Sequence, residues 1–210
     1  MKDILIIGGG GHAKVVASLL KKHEAWNPIG YTDLDDYGPL LSLPYLGTDN
    51  IIYSLISDRA LKYAVIGIGM VGSTEDRAEI IKKVQVSGLS FPAVYSSHSI
   101  VNEEVKVGDG SIIMDGAVIQ SGTRIGRHSI INTSAIVDHD CIIGDHVHLA
   151  PGVTLSGDVE LGSHSLVGTG ASILQGIKIT DHVIIGGGAT VISHLESSGI
   201  YVGVPAKLKA

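Results

Sequence analysis

From residue 101 onward the chain repeats every six residues, and this period constrains the fold more than anything else in it. Val107, Ile113, Ile119, Ile125, Ile131, Val137, Ile143, Leu149, Leu155, Leu161, Val167, Ile173, Ile179, Ile185 and Val191 fall six apart without exception, and all are aliphatic. Four residues after each comes a small or β-branched residue, from Ser111 and Ala117 through Ala135 and Cys141 to Val183 and Ala189. A period of six suits neither an α-helix nor a two-sided strand. It suits short parallel strands that turn a corner every six residues, three hexads closing one coil of about eighteen residues. The aliphatic position then stacks on its copies inside the coil, and the small residue fits beneath the corner. Such a core has little room for large rings, which agrees with an aromatic content of 4%. Cys141 occupies a small position and is read as packing rather than as a reactive thiol.

The first ninety or so residues read differently, as a small α/β domain with a parallel sheet. Asp3–Ile7 is expected as a first strand, and Gly8–Gly11 as a turn. A helix then follows to about Lys22, with Ala13, Val15, Val16, Leu19 and Leu20 as its apolar stripe. Ile29–Thr32 and Tyr63–Ile68 are expected strands, and Glu75–Val86 a helix with Ile80, Ile81 and Val84 turned inward. The expected boundaries are 1–92 for the α/β domain and 93–210 for the β-helix with its tail.

The formal charge of −6 provides no basic field for nucleic acid or anionic membrane. One cysteine cannot form an internal disulfide, and Ile4–Ile7 is too short for a signal peptide or membrane span, so a cytoplasmic location is expected.

Four segments carry a family likeness: Ile6-Ile7-Gly8-Gly9-Gly10-Gly11-His12, Ile136-Val137-Asp138-His139-Asp140-Cys141-Ile142-Ile143-Gly144, Gly186-Gly187-Gly188-Ala189-Thr190 and Gly203-Val204-Pro205-Ala206-Lys207. In combination they resemble the bacterial hexapeptide acyltransferases that modify sugars. That family includes sialic acid O-acetyltransferases, N-acetyltransferases of UDP-4-amino sugars in bacillosamine synthesis, and GDP-perosamine N-acetyltransferases. The resemblance implies a left-handed β-helix, a homotrimer, and acetyl-CoA bound between neighbouring helices.

The His139-Asp140 pair has the chemistry of a general base, since an imidazole can take a proton from an attacking amine or hydroxyl while a carboxylate orients it and raises its basicity. Eighteen residues beyond His139 lies Gly157, so a residue without a side chain is expected one coil above the imidazole. By resemblance, the Gly157 amide would bind the acetyl carbonyl as negative charge develops on it. Thr169 and Gly187 are also eighteen apart, and with His148 they match coenzyme-contacting positions of the family. Asn132 matches a family asparagine near the base.

The glycine loop between a strand and a helix suits phosphate, because backbone amides and a helix N-terminus favour negative charge. By resemblance, Gly10, Gly11, His12, Asp33 and Gly69 would hold a nucleotide sugar. The chain departs from the family pattern at Asp33-Leu34-Asp35-Asp36, where relatives have two adjacent acids, and in three extra residues after Gly69. The expected activity is acetyl transfer from acetyl-CoA to the 4-amino group of a nucleotide-linked amino sugar, with O-acetylation of a sialic acid or other sugar as the alternative.

Two other classes fit parts of the chain. Gly8-x-Gly10-x-x-Ala13 with Asp33 satisfies a loose dinucleotide fingerprint, as in an NAD-binding oxidoreductase, yet ninety or so residues hold only one mononucleotide half. A β-helix zinc enzyme needs three converging imidazoles. The set His146, His148 and His164 does not stack at eighteen-residue spacing, which leaves convergence across a subunit boundary open. No metal site is assigned.

Overall fold

The structure is a computed structural model that describes residues 1–70 and 75–209. It divides into two compact units, Met1–Pro92 and Ala93–Ala210.

The first unit is built on a parallel sheet of β1 (Lys2–Ile7), β2 (Trp26–Thr32), β3 (Tyr45–Gly47) and β4 (Tyr63–Ile66), in the order β3-β2-β1-β4. Helix α1 (Gly11–Lys21) buries Ala13, Val16, Ala17, Leu19 and Leu20, whereas Val15, expected in the apolar stripe, faces solvent. The helix α2 (Ile52–Arg59) and the short β3 carry no strong apolar period and are found only in the structure. Helix α3 (Glu75–Gln85) buries Ile81 and Val84, with Ile80 partly covered. Strand β4 stops at Ile66, two residues short of the expectation. A Cβ built on Gly67 would lie 2.7 Å from Ile6 and 2.8 Å from Ala13, so the chain turns where it is wedged between β1 and α1.

In the second unit, two-residue strands wind into three parallel sheets, here called faces A, B and C in chain order. Face A includes Ile112–Ile113, Ile130–Ile131, His148–Leu149, Leu166–Val167 and Val183–Ile185. Face B runs from Ile100–Val101 through Ile136–Val137 to Thr190–Val191, and face C from Lys106–Val107 through Ile142–Ile143 to Lys178–Ile179. Partners are eighteen residues apart, as in Ile125↔Ile143 and Val137↔Leu155. The fold is thus a parallel β-helix, and the aliphatic positions from Ile113 to Val191 are buried in one continuous core. An additional strand, Val94–Tyr95, pairs with Ile112–Ile113 ahead of the regular hexads.

Coils approach closely enough to dictate residue type at the corners. A Cβ on Gly144 would lie 2.6 Å from the backbone nitrogen of Ser163 in the next coil, so no side chain fits there. The corner leading from face C to face A carries a feature the sequence reading misses. His128, His146, His164 and His182 stack one above another, with ring centroids 5.4, 4.8 and 5.0 Å apart. His146 and His164 are therefore in the same eighteen-residue register, and only His148 lies outside it. All four ladder residues adopt a left-handed conformation, with φ between 55° and 59°. Histidine is among the residues that tolerate this region best. The stacked rings lie in near-parallel planes, at interplanar angles of 19°, 16° and 4°, and no group of three metal-binding side chains converges among the described residues. No helix among the described residues is long and apolar enough to cross a membrane.

Candidate active site

The corner from face B to face C is the turn Asp138-His139-Asp140-Cys141. Asp140 sits at φ +57°, a conformation that Asp tolerates, and this turns its carboxylate back toward the preceding residue. Its Oδ2 lies 2.9 Å from His139 Nδ1, while the His139 backbone N–H donates to Asp138 Oδ1 at 2.8 Å. The carboxylate therefore selects the tautomer that carries its proton on Nδ1, which leaves Nε2 as the acceptor. The hydrogen bond that His139 donates to Asp140 is the main cause that raises the imidazole pKa above its ordinary value, with the Asp138 and Asp158 charges adding to it. The ring remains half exposed, so it is open to a proton donor from outside.

Nε2 points along the helix axis toward Gly157. A Cβ built there would lie 2.4 Å from Nε2 and 2.5 Å from Cε1, so the imidazole occupies the space a side chain at 157 would need. Gly157 has no positive φ that demands glycine; its requirement comes from the ring beneath it. Cys141, next to the pair, is wholly buried, and its thiol donates to Ser156 O at 3.3 Å. Burial pushes that thiol up to about 11, which disqualifies it as a nucleophile near neutral pH. Three residues past His139, Ile142 begins a 530 Å³ depression on face C that is crossed by the 2.7 Å ion pair of Lys178 and Glu160.

Thr169 and Gly187 stack on a different corner, between faces A and B, where the Gly188 N–H donates to Thr169 O at 2.8 Å. Gly168, Gly170, Gly186 and Gly188 surround them, so this corner presents mostly backbone. His148 projects from face A and is nearly buried, its Nε2 3.1 Å from the Asn132 side-chain amide. A single β-helix does not bring these groups together: face A lies across the triangular section from the corner that carries His139.

In the first unit, the glycine loop is shaped by what touches it. Gly8, at φ +102°, leaves room for Ile68, and Gly9 leaves room for the Tyr31 ring. Gly10 and Gly11 are different, since a Cβ on either would meet nothing within 4 Å. Gly10 caps α1 with no side-chain hydrogen bond to its first turn. Gly69 approaches His12, with 3.4 Å between its built Cβ and the His12 Cβ. Asp33 accepts the Gly9 N–H at 2.6 Å on Oδ2 and the Leu34 N–H at 2.6 Å on Oδ1. Its immediate task is thus to hold the start of the loop. Of the stretch after Gly69 where the three extra residues are expected, Met70 is described and residues 71–74 lie outside the described residues.

Residues 3–84 match the family model "PglD N-terminal domain", and residues 122–157 match "Bacterial transferase hexapeptide (six repeats)". Among solved structures, PerB from Caulobacter crescentus, in complex with CoA and GDP-perosamine, is 33% identical, with a TM-score of 0.92 over 100% of this chain and 98% of its own. The chain belongs to the PglD-type hexapeptide-repeat sugar N-acetyltransferase family.

The acetyltransferase is also 31% identical to the acetyltransferase domain of PglB from Neisseria gonorrhoeae, solved with acetyl coenzyme A, with a TM-score of 0.91 and 99% of both chains covered. WeeI from Acinetobacter baumannii is 27% identical, with a TM-score of 0.86 and 99% coverage of both chains. No curated protein matches. Acetyl-CoA is the acyl donor of this enzyme.

Proposed function

We propose that this acetyltransferase moves the acetyl group of acetyl-CoA to the 4-amino group of a nucleotide-linked amino sugar, such as a UDP-4-amino-4,6-dideoxy sugar. The observation that carries this reading is the His139–Asp140 pair with Nε2 aimed at the side-chain-free Gly157. His139 Nε2 takes the proton of the acceptor amine as its nitrogen bonds to the acetyl carbonyl carbon. Asp140 holds the ring and stabilises the imidazolium that results. The Gly157 N–H donates to the carbonyl oxygen as charge builds on it. The same imidazolium then returns its proton as the thiol departs. The donor's thioester supplies an activated acyl carbon with a good leaving group, and His148, Thr169 and Gly187 hold the coenzyme.

The first unit holds the sugar's diphosphate. Gly10, Gly11 and His12 offer backbone amides at a helix start where Gly10 and Gly11 carry no side chain of their own, and Gly69 closes on His12. PerB was solved with GDP-perosamine, and two forms of its complex carry a replaced histidine, which supports both the acceptor class and a histidine at the chemistry.

The working unit is a homotrimer. His139 on one corner and His148 on the opposite face can serve one reaction only if neighbouring copies lie side by side. Ile100, Val118 and Ile136 also line up on face B as an apolar stripe, with Ile100 56% and Ile136 42% exposed. Burying that stripe against further copies removes its contact with water.

The test is release of free thiol from acetyl-CoA against a panel of UDP-, GDP-, dTDP- and CMP-linked 4-amino sugars and their 4-hydroxy counterparts. Turnover confined to the amines is the expected result. Turnover only with hydroxyl acceptors, sialic acid included, overturns the reading. Light scattering at a mass three times that of the chain is expected, and a monomer refutes the assembly.

A further inference from the structure

Among the residues whose burial is described, Arg77 is the one Lys, Arg, Asp or Glu that is buried, at 2% exposure, and it takes no part in the chemistry at His139. It stands on α3 and donates its Nε–H to the Ile68 carbonyl at 2.9 Å. Ile68 belongs to the 67–69 strap that follows β4. Gly67 donates to Ile7 O at 2.7 Å, the Ile68 side chain fills the space Gly8 leaves open, and Gly69 lies against His12. Each residue of the strap thus touches β1, the glycine loop or the start of α1. Beyond Ile66 the strand ladder has ended, so the Ile68 carbonyl is held from α3 rather than by the sheet.

We propose that Arg77 is a positioning residue for the nucleotide subsite: it clamps the 67–69 strap onto the glycine loop and places a buried positive charge behind the surface that receives a nucleoside diphosphate. This rests on the reading that the glycine loop binds the nucleotide sugar. Burial lowers the Arg77 pKa to about 10, so the guanidinium remains charged at neutral pH. With little water around it, the charge acts on a nearby anion with less screening than an exposed lysine would. Lysine keeps the charge but loses the planar fork whose Nε–H meets the carbonyl, so the two contributions can be separated.

The experiment is calorimetric titration of the full-length protein with UDP, GDP and dTDP in turn, together with steady-state kinetics on the accepted sugar nucleotide. Wild type, Arg77→Lys, Arg77→Met and Gly11→Val are compared. For Arg77→Met we expect Kd for the diphosphate and KM for the sugar nucleotide to rise at least tenfold, while kcat and KM for acetyl-CoA stay within twofold. Arg77→Lys should recover part of the loss. If Arg77→Met does not fold, Arg77→Lys with wild-type melting must still show a raised KM confined to the sugar nucleotide. Arg77 variants that fold and bind the diphosphate like wild type, while Gly11→Val loses it, overturn the role of Arg77 and leave the subsite standing. A loss in the Arg77 variants spread equally over kcat and both KM values overturns it too, because a purely structural role predicts that. Failure of wild type to bind any of the three diphosphates brings down the glycine-loop reading and this inference with it.

Discussion

Adding one methyl group at Gly157 tests the geometry of the base directly. In Gly157→Ala the new Cβ would begin 2.4 Å from His139 Nε2 and 2.5 Å from Cε1. Ordinary carbon–nitrogen contact begins near 3.4 Å. The imidazole must therefore move by about 1 Å or rotate away, and a misplacement of that size at a reacting group costs about 10²-fold in rate. The ring is half exposed and can swing into solvent, and Gly157 has no positive φ to strain an alanine. The stability cost is then only that of an off-rotamer side chain, roughly 1 kcal/mol. The expected outcome is a kcat about a hundredfold lower with a melting temperature within a few degrees of wild type. Because the substitution keeps the backbone N–H at this position, the loss reports on the ring and not on the amide. A double-mutant cycle settles the point: in a His139→Ala background, Gly157→Ala should cost almost nothing further. Fully additive losses, or wild-type kcat in Gly157→Ala, would refute the account of why residue 157 is glycine.

His139→Ala and His139→Asn should lower kcat by about 10²- to 10⁴-fold while acetyl-CoA affinity stays nearly constant; an unaltered rate and pH profile would remove His139 from the mechanism. The hydrogen bond that His139 donates to Asp140 raises the His139 pKa, and the base works only when deprotonated, so the acid limb of kcat should lie above the ordinary imidazole value. Asp140→Asn removes the largest cause of that shift, so its limb should move to lower pH on a lower plateau; a limb that stays put would show that the pair is not coupled. Ile131→Asp puts a charge at a position with 0% exposure in the stacked core, at a cost of several kcal/mol, and should give insoluble protein or a large drop in melting temperature. Cys141, buried with its thiol pushed up to about 11, should resist iodoacetamide in the native enzyme and react only on unfolding; rapid inactivation would contradict that burial.

The β-helix was legible in the sequence because its pairing is local. Each strand residue pairs with the one eighteen positions on, so the six-residue period alone assigns Ile113 to Val191 inward and stacks Gly157 over His139. The same arithmetic already places His128, His146, His164 and His182 in one register, and asking instead whether His146, His148 and His164 form a set hides that ladder. The first unit was only partly legible, since β3 is short and owes its form to pairing with β2, and α2 is short and owes its own to burying Ile52 and Leu55 in the core. Tertiary structure alone decided what depends on side-chain direction and on contacts between distant segments. Nothing in the order of residues says that Asp140 turns back onto Nδ1 and leaves Nε2 facing the next coil, that Asp33 spends its oxygens on the Gly9 and Leu34 amides, or that Arg77 is buried against the Ile68 carbonyl. A period records which backbone positions repeat, whereas rotamers and desolvation are set by neighbours that the fold brings in from elsewhere.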